Sequence, residues 1–137
     1  RANVTIEWEA ASGTREVYVI TGWQDPRPLH DGFTVSTPTW YLAEGCTEGD
    51  FETWVLVQNP GSAEVKVDLT FMTSSGEQPG PQDFPIGAGS RHSFNLGAYV
   101  KDWDVSTKVV STGGVICERA MYGGNRTWAH DSVGYTP

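Results

Sequence analysis

The run Leu42-Ala43-Glu44-Gly45-Cys46-Thr47-Glu48-Gly49-Asp50-Phe51-Glu52-Thr53-Trp54 places four carboxylates, a thiol and two glycines between two apolar, aromatic stretches. Calcium takes six to eight oxygens, commonly from carboxylates and backbone carbonyls, and glycines let carbonyls turn inward. The alternating Asp/Asn pattern of an EF-hand is absent. No metal or other cofactor is expected: the loop reads as a solvated turn with one carboxylate paired internally. Glu44, Glu48, Asp50 and Glu52 form the calcium alternative. A catalytic reading would pair Glu44 with Glu118 as glycosidase carboxylates. His130-Asp131-Ser132 holds three triad residue types, but contiguous residues do not place a base between a nucleophile and a carboxylate. No Gly-x-Ser-x-Gly elbow occurs. His30, His92 and His130 lack metal-ligand spacing. The chain is therefore not expected to be an enzyme, and His130 reads as a loop cap.

Six tryptophans are a surplus for 137 residues. Trp8, Trp40 and Trp54 lie in apolar runs and read as core. Trp23, Trp103 and Trp128 lie in polar loops. With His130 they are the candidates for ligand binding, because indole faces stack on sugars and exposed large aromatics mark contact sites.

The elements that must position these residues read almost entirely as strands. There are 16 Gly and 8 Pro, which punctuate the chain too often for long helices. Residues 3–9, 16–21, 33–36, 39–42, 54–58, 64–72, 83–86, 90–96, 105–111 and 115–122 are β-like. Val65, Val67, Leu69 and Phe71 alternate with Lys66, Asp68 and Thr70, the pattern of a half-solvated antiparallel strand. Gly113-Gly114 reads as a hairpin turn. Residues 74–82 read as a hairpin-like loop and residues 123–130 as a polar, Gly-rich loop. About seven to nine short strands make an all-β fold, an antiparallel sandwich of Ig-like type.

Glu118 and Arg119 sit inside an apolar strand, where neighbours face opposite ways. One of the two charges must then face the core and needs partners. Glu44, Arg91, Glu118 and Arg119 are the expected structural polar network.

The formal net charge is −8, which repels nucleic acid and anionic membrane surfaces. No apolar run approaches the length of a membrane span, so membrane insertion is not expected. Arg27-Pro28-Leu29-His30-Asp31-Gly32 is echoed by Arg126-Thr127-Trp128-Ala129-His130-Asp131-Ser132, and each is followed by Thr-Pro. An internal repeat of about 100 residues would make residues 1–36 the tail of a preceding repeat, or else extra strands of the same sandwich, and residues 37–137 the module proper.

Trp40-Tyr41-Leu42-Ala43-Glu44-Gly45, Phe51 to Trp54, Val57-Gln58-Asn59-Pro60, Gly89-Ser90-Arg91, Val105-Ser106, Glu118-Arg119-Ala120-Met121-Tyr122 and His130-Asp131-Ser132 follow one another in order. This series resembles a β-sandwich repeat module of unassigned function, found near the C-terminal ends of large secreted or surface bacterial proteins. The resemblance covers residues 38–136. It implies a non-catalytic extracellular or cell-surface accessory module with no catalytic residue to carry over. In such a compartment Cys46 and Cys117 are expected to form a disulfide, which would add roughly 4 kcal/mol on the chain-entropy model. The expected function is structural or adhesive. Its partners are neighbouring domains of the parent protein and a polysaccharide or surface protein. The alternative is a carbohydrate-binding module of a secreted hydrolase.

Overall fold

The computed structural model describes residues 38–137, together with the backbone of Arg15–Val17 and Phe33–Val35. The chain divides into two compact units, Arg1–Thr37 and Pro38–Pro137. In the first, β1 (Arg15–Val17) pairs antiparallel with β2 (Phe33–Val35). The strand read over residues 3–9, with Trp8, lies outside the described residues. So do Trp23, His30 and the first half of the repeat.

The second unit holds nine strands in two antiparallel sheets. Thr39–Leu42 is β3, Glu52–Gln58 is β4, Val65–Thr73 is β5, Gly76–Pro79 is β6 and Phe84–Ile86 is β7. Arg91–Asn95 is β8, Ser106–Ser111 is β9, Ile116–Gly123 is β10 and Trp128–Val133 is β11. One sheet runs β11-β10-β4-β8 and the other β3-β9-β5-β6, with β7 also on β5. The expected all-β sandwich is the fold.

Period two decides what lies between the sheets. Val65, Val67, Leu69 and Phe71 of β5 are buried while Lys66 points out. On the facing sheet Val55, Val57, Phe94 and Cys117 are buried, and all belong to one apolar cluster with the β5 residues and Val109. Trp40 packs against this cluster, as expected of a core residue. Trp54 does not, because the inward positions of β4 are Thr53, Val55 and Val57. Its ring lies half-buried on the outer face and donates to Glu52 Oε2 at 3.2 Å.

Three connections differ from the sequence reading. Gly113-Gly114 is not a hairpin: β9 and β10 lie in different sheets, and the turn carries the chain across. The bare Cα of Gly113 sits over Val65, where a Cβ would come within 2.8 Å of that side chain. The 74–82 loop contains β6, paired along the second half of β5. The 123–130 loop is a tight turn that opens β11, paired with β10 along its length. The chain end then closes one side of the sandwich. Gly134 N–H donates to Cys117 O at 2.9 Å, and Tyr135 exchanges two 2.8 Å backbone bonds with Tyr41 of β3.

The expected disulfide is absent, and both cysteines are free and buried. Cys46 is fastened to β4 at Thr53, whose Oγ1 accepts from Cys46 N at 2.9 Å and donates to Cys46 O at 2.7 Å. Cys117 lies opposite Val57, four residues further along β4. Four strand residues span about 13 Å, beyond the roughly 7 Å limit for bridgeable Cα atoms. Burial pushes the Cys117 thiol up to about 12. Neither thiol is expected to react with Ellman's reagent before the fold opens. Thermal midpoints with and without reductant should coincide; a drop of several degrees on reduction would show a bridge after all.

Candidate functional site

Two clusters occupy the end of the sandwich where the chain leaves β3, β10 and the segment before β9. The first is built on Arg119. Alternation on β10 turns Cys117, Arg119 and Met121 inward and Glu118 outward. Arg119 is only 3% exposed, and its Nη1 lies 3.1 Å from Glu44 Oε2. Its Nη2 donates to Ser132 Oγ at 2.9 Å, and Nη1 lies 3.3 Å from His130 Nε2. His130 Nε2 is also 3.4 Å from Glu44 Oε2. The antiparallel register supplies the reason: Ser132 stands directly opposite Arg119 and His130 opposite Met121, so all point to one side.

Of the expected network, Glu44 and Arg119 meet. Glu118 does not join, because it faces outward opposite Leu56 and Val133. Arg91 does not join either. It is exposed at the start of β8, with β4 between its strand and β10. His130 is a strand residue in an ion-pair cluster rather than a loop cap. Ser132 was the member that sequence reasoning missed. The spacing of Trp128, His130 and Ser132 was its signal, but no apolar alternation marked the strand.

The second cluster is aromatic. Phe51 stands edge-on to Trp103, with ring centres 6.3 Å apart, and to Trp128 at 5.5 Å. Trp103 is 62% exposed and Trp128 44%. Glycines seat both indoles. A Cβ on Gly49 would touch the Trp103 ring at 3.3 Å, and one on Gly123 would overlap Trp128. Trp128 stands opposite Gly123 in the β10–β11 register, so its ring lies on bare backbone.

Polar staples hold this end together. Buried Thr47 donates through Oγ1 to Val100 O at 2.9 Å and accepts from Asp102 N at 3.0 Å. Thr47 N–H donates to Asp102 O and Val105 N–H to Gly45 O, both at 2.9 Å. Asp50 accepts from Gly124 N at 2.9 Å. Glu52 and Arg126 form a two-pronged pair at 3.1 and 2.7 Å, and Arg126 lies over the Tyr122 ring. The Arg126 bond, followed by that from Trp54, holds the Glu52 carboxyl below its ordinary range. Asp102 is likewise lowered, first by the Asp104 amide and then by the Ser74 hydroxyl at 2.6 Å. Both residues are open to water, so these bonds order the loops more than they stabilise the fold.

The same contacts account for the acidic loop. Glu44 turns to Arg119 on β10, while Asp50 and Glu52 bind the Gly124 amide and the Arg126 side chain of the turn that follows it. Among the described residues no group of three or more His, Cys, Asp and Glu side chains is arranged to hold a metal ion. Nor does a glycosidase pair assemble, since Glu44 meets the inner side of β10 while Glu118 lies on its outer side. Asp131 alternates away from His130 and Ser132, so the three make no relay.

No protein-family model matches the chain, and no curated protein matches it. Solved structures similar in fold include the following two. One is a Thermotoga maritima protein designated 1070, with a TM-score of 0.62 at 16% identity; the match covers 73% of this chain and 94% of that one. The other is the Anabaena sensory rhodopsin transducer, with a TM-score of 0.51 at 18% identity, covering 62% of this chain and 96% of that one. At such identities the likeness is one of fold.

Proposed function

We propose that residues 38–137 form a non-catalytic structural or adhesive module of a larger secreted or cell-surface bacterial protein. The observation that carries this reading is the aromatic end: two exposed indoles on a frame stapled by Thr47, Asp50 and the Glu52–Arg126 pair. Exposed Trp on a rigid scaffold is the composition of a contact surface, and Trp is among the residues that dominate interface energies. Neighbouring domains and surface proteins are its partners on this view. The extracellular placement rests on the resemblance in residues 38–136 and draws no support from the unpaired thiols. The same exposed tryptophans favour a second reading, a carbohydrate-binding module, since indole faces also stack on sugars.

Retention of the folded chain on cellulose, chitin, xylan and peptidoglycan, in calcium and in chelator, tests the two. No retention is expected on any polymer. Retention abolished by Trp103→Ala or Trp128→Ala would replace the adhesive reading by the carbohydrate-binding one. Retention only in calcium would assign a cation to the loop of Glu44, Glu48, Asp50 and Glu52.

A further inference from the structure

Carboxylates outnumber cations beside the rings of the aromatic end: Asp50, Glu52, Asp102 and Asp104 stand against Lys101 and Arg126. Asp102 and Asp104 flank Trp103 in the chain, and Asp50 is fastened to Gly124 beside the seat of Trp128. Asp50 and Asp104 are exposed. The two cations of these loops are both engaged: Arg126 is bound by Glu52, and Lys101 Nζ donates to Thr47 O at 3.2 Å. An indole face next to an open carboxylate is a place where a guanidinium or ammonium gains twice. It stacks on the ring quadrupole and pairs with the acid. A neutral glycan gains nothing from the charge, and an acidic glycan or peptide is repelled by it.

We propose that Trp103 and Trp128, with Asp50, Asp102 and Asp104 around Phe51, form the docking surface for a basic, arginine- or lysine-bearing segment of a partner protein. This rests on the adhesive reading and names the chemistry of its partner. The rings are held before any partner arrives, by Phe51 between them and by glycine backbone beneath, so little ordering is left for the bound state. The carboxylates steer the approach, and salt weakens the association.

The test uses the whole chain with three blocked probes at physiological salt: hexa-arginine, hexa-glutamate and cellohexaose, followed by calorimetry and by the indole N–H signals. Hexa-arginine is expected to bind, shifting the Trp103 and Trp128 signals, and hexa-glutamate is not. Trp103→Ala and Trp128→Ala should each weaken hexa-arginine about two- to five-fold, the size of an exposed cation–π contact. Asp104→Asn, which disturbs no packing, should weaken it about two-fold, whereas Glu64→Gln, the same charge change at the far end of β5, should not. Equal losses from Asp104→Asn and Glu64→Gln would mean attraction to the net charge alone and would overturn the proposal. So would hexa-arginine binding that ignores the tryptophans. No binding of any probe overturns it too, and leaves the adhesive reading in place with another surface. Cellohexaose bound through Trp103 would end both.

Discussion

Glu44→Ala is expected to lower the unfolding free energy by about 3 kcal/mol, a large effect for a side chain that is itself 63% exposed. The cost falls on its partner. Arg119 is almost wholly enclosed, and Glu44 Oε2 at 3.1 Å is the anion beside its guanidinium. Among the described residues, the cation without Glu44 keeps Ser132 Oγ and the contact with His130 Nε2. A hydroxyl acceptor satisfies an N–H group but does not balance a buried charge. Water entering the space left by Glu44 brings the loss to the low end of the range for broken buried pairs. Arg119→Met should do far less harm, about 1 kcal/mol or below. It removes the charge, keeps most of the volume, and leaves Glu44 free to hydrate. The double variant should therefore recover most of what Glu44→Ala loses. Urea melts of the three variants measure this. A Glu44→Ala variant as stable as the parent would show that the guanidinium needs no counter-ion.

Asn59→Ala is expected to cost about 3 kcal/mol as well, through hydrogen bonds rather than charge. Asn59 is fully buried at the end of β4. Its Nδ2 group donates to Ala63 O at 2.8 Å, Ile86 O at 3.0 Å and Gly87 O at 3.1 Å, and Oδ1 accepts from Gly61 N at 2.9 Å. One side chain thus ties the ends of β4 and β7 to the turn before β5. Truncation strips partners from four backbone groups at once, one in a fully buried bond (Ile86 O) and three in part-buried ones, and each orphan costs about 1–3 kcal/mol where water cannot reach it. Asn59→Asp has the same shape but sets a carboxylate against three carbonyl oxygens. Its acid form is favoured in the fold, so its folded pKa lies above the unfolded value. Relative to the parent, the penalty of Asn59→Asp should grow as pH rises through that folded pKa and shrink toward pH 4. A pH-independent difference between Asn59→Asp and the parent, or an Asn59→Ala loss below 1 kcal/mol, would refute this account.

Both residues were in view in the chain, and neither role could be read there in full. Arg119 was expected to be able to face the core, since a charge inside an apolar strand must face one way or the other and period two leaves two choices. Its partners His130 and Ser132 depend on β11, whose first half, residues 128–130, reads as loop in the sequence. Residues 128–133 are all exposed and show no apolar alternation, so nothing local marked them as a strand. Asn59 opens an Asn-Pro-Gly sequence of the kind that favours turns, but its side chain reaches residues 27 and 28 positions away. The supposed disulfide failed for a related reason. Compartment and pairing arithmetic say nothing of how far apart along β4 two cysteines will be held.

Alternation, turn residues and composition were enough for the class of fold, for most strands of residues 38–137, for which side of β5 each residue faces, and for which residues of β10 share a side. These are local properties, set by a repeat of two and by the φ/ψ preferences of glycine and proline. Which strand lies beside which, and in what register, came only with the folded sheets: β10 between β4 and β11, Ser132 opposite Arg119, Trp128 over Gly123. Strand pairing is a contact between distant segments, and a shift of one residue would turn every side chain of β11 to the other face. The ion-pair cluster and the aromatic end both depend on that register.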